Sequence, residues 1–238
     1  YHDVLSTSPV EIFYCGSLEG GRVARILTDV LSTMPRGEID EDIGTDIRMN
    51  ALEAEPRYVT ETLPVAQGQL AVGYRLGACM TEPDIPALFV FNALYGGCVT
   101  SKLFLNVREK LSLCYYASSA YHRSKGIVTV SSGIECRDVE TAKREILAQL
   151  ASVQRGEFEE WEVEGARACL IASLESRGDS AGRMEENALG QAATGIRETA
   201  DELIAALRAV TNERIAEAAQ SMTLDTVYFL TGEDSKDE

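Results

Sequence analysis

The clearest pattern of apolar positions lies between residues 101 and 118, where a helical period changes to a strand period. Four apolar residues first recur at helical intervals: Leu103, Phe104, Val107 and Leu111. This spacing predicts a short helix with one buried face, capped at its start by Thr100 or Ser101. Beyond it the period becomes two, which predicts a strand. Leu113, Tyr115 and Ala117 share one predicted face, and Cys114, Tyr116 and Ser118 share the other.

The predicted helix and strand place Arg108 near a helix end and Tyr115 early in the next strand. An arginine offers a rigid fork of donors for carbonyl or carboxylate oxygens. A phenolic O–H beside it could donate to a carbonyl oxygen that gains negative charge during amide hydrolysis. The alternative from spacing alone is a solvent-exposed Arg108 and an ordinary half-buried strand Tyr115, since tyrosine is favoured in strands.

The rest of the chain predicts a mixture of strands and helices. A clear alternation over residues 67–77 indicates a strand, and a helix follows from about residue 83 to the pair Gly96–Gly97. Polar residues 122–126 separate two strand-like runs, 113–121 and 127–134, which predict a hairpin. Helices are expected near 139–156, 158–174, 183–190, 199–207 and 211–219, with Thr199 and Glu202 as a capping box. A final strand covers about 227–232. This order predicts an α+β domain with two layers: a mostly antiparallel sheet, with helices packed on one face.

The first 35 residues are predicted to be a strand over residues 9–16 and a helix over residues 21–34. One strand and one helix cannot make an independent domain. Residues 36–56 are rich in glycine and acidic residues and predict a linker.

Composition excludes some classes of function. The chain has 238 residues, of which 45% are hydrophobic and 25% charged, enough for a core. Its net charge of −16 would repel phosphate backbones, so nucleic acid is not an expected partner. No apolar run reaches the length of a membrane span. The six cysteines are scattered, and the expectation is reduced, buried thiols in a cytoplasmic protein.

Residues able to bind a metal or to serve as a catalytic base are scarce. The two histidines are His2, near the start, and His122, in the predicted hairpin turn. Neither has a second ligand at helical spacing, and the cysteines form no CxxC pair. A serine or cysteine nucleophile would need one of these histidines as its base, and no GxSxG motif occurs. We therefore expect no zinc on this chain. Trp161 is expected to be a core residue of its helix.

The stretch around Arg108 resembles a signature of the M16 peptidases, the family of pitrilysin, insulin-degrading enzyme and the mitochondrial processing peptidases. The residues that carry the resemblance are Gly96, Gly97, Ser101, Leu103, Phe104, Val107, Arg108, Glu109, Lys110, Leu113 and Tyr115. The similarity is greatest to the second half of these proteins. There an arginine, and a tyrosine seven positions later, contact substrate; Arg108 and Tyr115 have that separation.

The resemblance implies a LuxS/M16 peptidase-like fold with a sheet face that lines a substrate chamber. It implies that residues 1–35 end a preceding M16-like domain and that residues 57–238 form a C-terminal-type domain. Arg108 would orient the peptide main chain, and Tyr115 would assist catalysis at the scissile carbonyl. Zinc would come from an HxxEH helix in an N-terminal half or a paralogous subunit. This chain alone is predicted to be inactive.

Two alternatives remain open. Residues 74–77 (YRLG) and 94–119 especially resemble bacterial M16-like proteins associated with elongation factor P modification. Some of that group lack the zinc motif, which implies an inactive partner or scaffold that acts by complex formation. The second alternative is an unrelated α+β binding domain.

Overall fold

The computed structural model describes residues 1–40, 55–76 and 85–232. The helices are α1 (His2–Thr7), α2 (Gly20–Leu31), α3 (Ile85–Asn92), α4 (Val139–Gln154), α5 (Glu160–Glu175), α6 (Ala181–Thr194), α7 (Ala200–Ala209) and α8 (Asn212–Gln220). The strands are β1 (Arg57–Thr62), β2 (Gly68–Arg75), β3 (Cys114–His122), β4 (Ile127–Ile134) and β5 (Thr223–Thr231). Two π-helices lie between α3 and β3, the first at Ala93–Gly97 and the second at Leu103–Lys110. None of the helices in the described ranges is both long and apolar enough to cross a membrane.

The chain forms two compact units. The first comprises Tyr1–Asp46 and Ser176–Glu198, and the second comprises Ile47–Glu175 and Thr199–Glu238. In the first unit the carboxylate of Glu19 caps α2 by accepting from the backbone N–H groups of Gly21 and Arg22, at 2.8 and 2.9 Å. The guanidinium of Arg36 donates to the carbonyl oxygens of Leu5 and Ser8. Polar contacts, both local and between distant residues, therefore hold the N-terminal turns of the first unit.

The predicted strand over residues 9–16 is not formed. The helix predicted at 21–34 is confirmed as α2, but the segment before it is irregular. Strand hydrogen bonds need a neighbouring strand, and in the described part of the chain no strand pairs with this segment. Of the predicted linker, residues 41–54 lie outside the described residues.

The second unit contains a five-stranded sheet with the order β1-β5-β2-β4-β3. The pairs β2–β4, β2–β5 and β3–β4 are antiparallel, and β1 pairs with β5 in parallel. The predicted α+β class, the hairpin and the mostly antiparallel sheet are confirmed. Strand β1 was not predicted, because all but one of its residues are exposed and it has no apolar alternation.

Helices cover one face of this sheet. Alternate residues of two central strands point into the core: Leu70, Val72 and Tyr74 from β2, and Val128, Val130 and Ile134 from β4. They pack with helical residues such as Phe91, Leu94, Ile146 and Ile215. Of the intervening strand residues, Gln69, Ser118 and Ser131 are exposed, and Ala71, Gly73 and Thr129 are half-buried. The sheet therefore has one buried and one open face, as the alternation in β2 predicts.

Several local predictions are confirmed. The capping box at the start of α7 forms, with Thr199 accepting from the Glu202 N–H and the Glu202 carboxylate accepting from the Thr199 N–H. Residues 122–126 make the hairpin turn, which ends at Gly126 with a φ of 61°. The predicted helix start at Pro83 and Asp84 falls outside the described residues.

Two predictions about buried side chains are wrong. Trp161 lies in the first turn of α5 and is 56% exposed. The neighbouring inward position is taken by Glu162, whose carboxylate is buried in an ion pair with Lys102 at 3.1 Å. Of the cysteines that the structure describes, Cys15 and Cys169 are exposed and Cys98, Cys114 and Cys136 are half-buried, so none is the fully buried thiol expected.

Candidate functional site

The second π-helix, which carries Arg108, is held by contacts along its length. Leu103 and Val107 are completely buried in the core. Lys102, just before the helix, pairs with Glu162 of α5, and Asn106 donates from Nδ2 to Oε1 of Gln149 on α4 at 2.9 Å. At the start, the hydroxyl of Ser101 accepts from the Phe104 N–H at 3.3 Å, as one of the two predicted caps. These contacts determine where Arg108 lies.

A left-handed residue connects this π-helix to β3. Ser112 has a φ of 51°, the positive value that commonly ends a helix. The backbone N–H of Leu113 then donates to the carbonyl of Val107 at 3.2 Å, and the N–H of Leu111 donates to the carbonyl of Asn106 at the same distance. The last turn of the helix is therefore closed just before the strand begins. Leu111, expected to be buried, is 43% exposed because it lies at this closing turn.

A bulge at the start of β3 changes the predicted alternation. Cys114 lies opposite Ile134 and Tyr116 lies opposite Gly133, so Tyr115 is an extra residue without a partner in the β3–β4 register. Cys114 packs against the core, and Tyr115 is 68% exposed. The prediction that Tyr115 shares a face with Leu113 and the buried Ala117 is therefore wrong. Because Tyr115 is the extra residue, its phenol does not face the core.

Arg108 and Tyr115 lie together. The Nε–H of Arg108 donates to the carbonyl oxygen of Tyr115 at 2.9 Å, and this bond spans the bulge. The guanidinium carbon lies 4.6 Å from the centre of the Phe104 ring, four residues back on the same helix. Nη1 lies 3.4 Å from the carboxylate of Glu109. The guanidinium is thus oriented by its Nε–H and ring contacts, and its side chain remains 39% exposed for contact with a ligand.

The bulge also borders a shallow cleft of ≈ 230 Å³. Its lining consists of Ser112, Leu113, Cys114, Tyr115, Glu135 and Asp138. Arg137 pairs with both acidic residues, at 2.6 Å to Glu135 and 3.8 Å to Asp138, and so reduces their negative field. The cleft therefore offers a phenol, a thiol and polar groups within reach of an extended chain.

Cys114 is a residue of this site that the sequence did not single out. Burial raises the pKa of its thiol above the ordinary value, while the positive charge of Arg108 acts in the opposite direction.

The open sheet face beside the bulge is built from small residues. Strands β2 and β4 contribute Ala71, Gly73, Thr129, Ser131 and Gly133, and β3 contributes Ser118 and Ala120. The ring of Tyr116 lies over Gly133, where an added Cβ would come 2.6 Å from a ring carbon. Ser118, Ala120 and Ser131 are exposed on this face, and Tyr116 covers the buried Gly133.

The histidines do not form a zinc site. His2 lies in α1 and His122 ends β3, where its Nε2 is 3.0 Å from the hydroxyl of Thr129. Within the described ranges, His, Cys, Asp and Glu side chains make no group of three suited to a metal ion. The residues present do not fit the zinc of an HxxEH site.

Known proteins match this chain. The family model described as the peptidase M16 inactive domain matches residues 1–170. A relative from Bacillus subtilis, the "Probable inactive metalloprotease YmfF", is 32% identical over 98% of this chain and 54% of its own length. A second, the "Uncharacterized zinc protease YmxG" of the same species, is 28% identical over 71% of this chain and 42% of its own. A crystal structure of a conserved protein from Enterococcus faecalis superposes with a TM-score of 0.78 and 31% identity, over 90% of this chain and 50% of that one. The chain thus spans about half the length of these proteins.

Replacing Arg108 by Met should raise the pKa of Cys114 further, because it removes a positive charge that stabilises the thiolate. At a given alkaline pH a smaller fraction of Cys114 will then be ionised, and its alkylation by iodoacetamide will be slower. Peptide mass spectrometry over a pH series measures the rate at this cysteine. Arg144→Met, on the exposed side of α4, is the control and should leave the rate unchanged. Equal rates in all three proteins would contradict the proximity of Arg108 and Cys114.

Proposed function

Since this chain belongs to the M16 peptidase family and matches its inactive domain, we propose that it is the substrate-binding, zinc-free half of an M16-type peptidase. An extended peptide lies on the open sheet face and passes the bulge of β3. The zinc and the general base come from an HxxEH-bearing half or paralogous subunit, since this chain offers no fitting ligand set in the described residues. The observation that carries the proposal is the adjacency of Arg108 and Tyr115 at the edge of an exposed face.

The two side chains have different roles in this proposal. Arg108 binds main-chain carbonyls of the peptide through its outer N–H groups, since its Nε–H is already used by Tyr115. Tyr115 donates its phenolic proton to the scissile carbonyl oxygen as negative charge develops there. The bulge supports both roles, because it exposes the phenol and supplies the carbonyl that orients the guanidinium.

The whole protein is proposed to be a bacterial, cytoplasmic peptidase or peptidase-like protein whose partner is the catalytic half. Residues 1–35 are proposed to complete a preceding M16-like domain. Two features support this assignment. Neither α1 nor α2 has a buried residue among the described part of the chain. In addition, Val10, Ile12 and Tyr14 alternate along an exposed segment that would suit an added strand.

A second function, an inactive partner that acts by complex formation, is favoured by one observation. A relative that matches 98% of this chain is described as a probable inactive metalloprotease. In that case the open face would hold a protein partner without cleavage. The sequence that precedes residue 1 in the whole protein distinguishes the two functions in part, since an HxxEH helix there supports the peptidase.

Cleavage assays test the proposed roles of Arg108 and Tyr115. The full-length protein is mixed with each HxxEH-bearing paralogue of the same organism, with zinc and quenched fluorescent peptides. Tyr115→Phe should lower kcat by about 100-fold with little change in KM, because only a transition-state donor is lost. Arg108→Ala should mainly raise KM, by about 10-fold, because it removes binding of the peptide main chain.

Tyr58→Phe on the exposed β1 edge and Arg144→Ala are matched controls that should retain parental kinetics. Parental cleavage by both site variants would refute the proposed roles. If no combination cleaves any peptide and the preceding sequence lacks HxxEH, the inactive-partner function replaces the first proposal.

Hydrogen exchange tests the assignment of residues 1–35. In the 238-residue chain the amides of residues 10–15 should exchange rapidly, because they have no strand partner among the described residues. In the full-length protein they should be protected by pairing with the preceding domain. The amides of β2 are the control and should be protected in both. Rapid exchange of residues 10–15 in the full-length protein would contradict the assignment.

A further inference from the structure

The two edges of the five-stranded sheet differ in what covers them. At one edge, helical side chains reach the outer side of β3. The Nε–H of Arg108 donates to the carbonyl oxygen of Tyr115 at 2.9 Å. Nδ2 of Asn92 lies 3.5 Å from the carbonyl oxygen of Ser119. At the other edge, β5 is the one strand that pairs with β1 in the described part of the chain. A strand with an open edge is a template for pairing with another chain.

The backbone groups of alternate β1 residues point away from the sheet. The N–H of Leu63, directly after β1, donates to the carbonyl oxygen of Thr231 on β5 at 3.1 Å. The N–H and C=O groups of one strand residue point to the same side, and those of the next residue point to the opposite side. The odd-numbered residues of β1 therefore face β5. Tyr58, Thr60 and Thr62 turn their N–H and C=O groups outward.

The side chains of β1 combine residues that favour strands with one charge of each sign. All but one of its six residues are exposed, and Tyr58 is 64% exposed. Its tyrosine, valine and threonines are typical strand residues. Arg57, Val59 and Glu61 share one face, because the side chains of a strand alternate. The hydroxyl of Tyr228 on β5 donates to the carboxylate of Glu61 at 2.5 Å and so orients it. An arginine and a glutamate thus lie at equal distances on either side of Val59.

We propose that β1 is a self-association surface, on which β1 of a second copy of this chain pairs antiparallel about a two-fold axis at Val59. In a two-fold interface residue i contacts residue j, and residue j contacts residue i. Residues directly opposite each other lie on the same face of the sheet. With the axis at Val59, Arg57 lies opposite Glu61 of the second copy, and this contact between opposite charges occurs twice.

Charge favours this axis over the others within the strand. An axis at either charged residue would place two identical charges opposite each other, which is destabilising. An axis at Thr60 would place Glu61 opposite Val59 and give the carboxylate no opposing positive charge. An axis at Tyr58 would place Glu61 opposite Glu55, again a pair of like charges. The axis at Val59 is the one that opposes unlike charges.

The same register uses the outward backbone groups. Tyr58 of one copy lies opposite Thr60 of the other, and each such pair exchanges two N–H···O=C hydrogen bonds. Arg57, Val59 and Glu61 then occupy non-hydrogen-bonded positions, where opposing Cα atoms are about 4.5 Å apart and the side chains lie closest. The charged pairs and the pair of valines therefore meet where cross-strand contact is tightest.

The resulting dimer is reversible and has one continuous sheet of ten strands. A pair of six-residue strands buries less surface than the interface of a permanent dimer. Its ion pairs lie at the surface, so salt weakens them. The two-fold axis runs perpendicular to the sheet, and the open faces of the two copies adjoin on the same side. Association does not depend on whether either face binds peptide.

Sedimentation velocity of the full-length protein, without any paralogue and at low salt, tests the dimer. A micromolar concentration series should show a monomer–dimer equilibrium. Arg57→Glu and Glu61→Arg should each raise the Kd by about 10-fold or more, because each places like charges opposite each other twice. The double variant should restore the parental Kd. Arg144→Glu reverses an exposed charge on α4 and is the matched control, which should keep the parental Kd.

Disulfide trapping tests the register. Val59→Cys oxidised with copper phenanthroline should give a disulfide between the two copies of residue 59, because opposing Cα atoms lie within the range that a disulfide needs. Tyr58→Cys should not, because its two copies are offset by two residues along the strands, beyond that range. Peptide mapping without reductant identifies the link. A monomer at every concentration, equal trapping from both positions, or a double charge reversal that does not restore the dimer would each overturn the proposal.

Discussion

The sheet of the second unit is buried on one face only, and the placement of every candidate functional residue depends on this asymmetry. Apolar side chains of β2 and β4 enter the helical layer, and small or polar residues remain on the other side. An antiparallel sheet tolerates this arrangement because each strand alternates its side chains. A broad surface is left on which an extended chain can lie. The chain that carries this surface matches the inactive domain of the M16 peptidases.

The junction between the second π-helix and β3 places Arg108 and Tyr115 at the edge of this surface. The second π-helix is held by its core residues and by the Lys102–Glu162 pair, and it ends at the left-handed Ser112. Removing one member of a buried ion pair of this kind typically costs about 3–5 kcal/mol, because the other charge is left buried without its partner. The bulge that follows turns Tyr115 away from the core and offers its carbonyl to Arg108. The same bond therefore joins the two residues that the proposal uses.

Sequence patterns predicted the fold class, the hairpin and the open face of β2, because each depends on local period or on short separations. They did not predict the bulge at Tyr115. Because Tyr115 and Tyr116 are adjacent and identical, the alternating pattern does not show that one of them is an extra residue. They placed Trp161 in the core because a buried Glu162 is expected only when its partner Lys102 is known. They missed β1, whose pairing with β5 joins residues far apart in the chain.

Site-specific photo-cross-linking tests most directly whether the open face binds polypeptide. The full-length protein carries p-benzoylphenylalanine at position 118 on the open face or at position 161 on α5, both exposed. Each variant is irradiated with a mixture of biotinylated, unstructured peptides. We expect strong labelling from position 118, reduced by excess unlabelled peptide, and little from position 161. Equal labelling from both positions, or labelling from position 161 alone, would contradict the account.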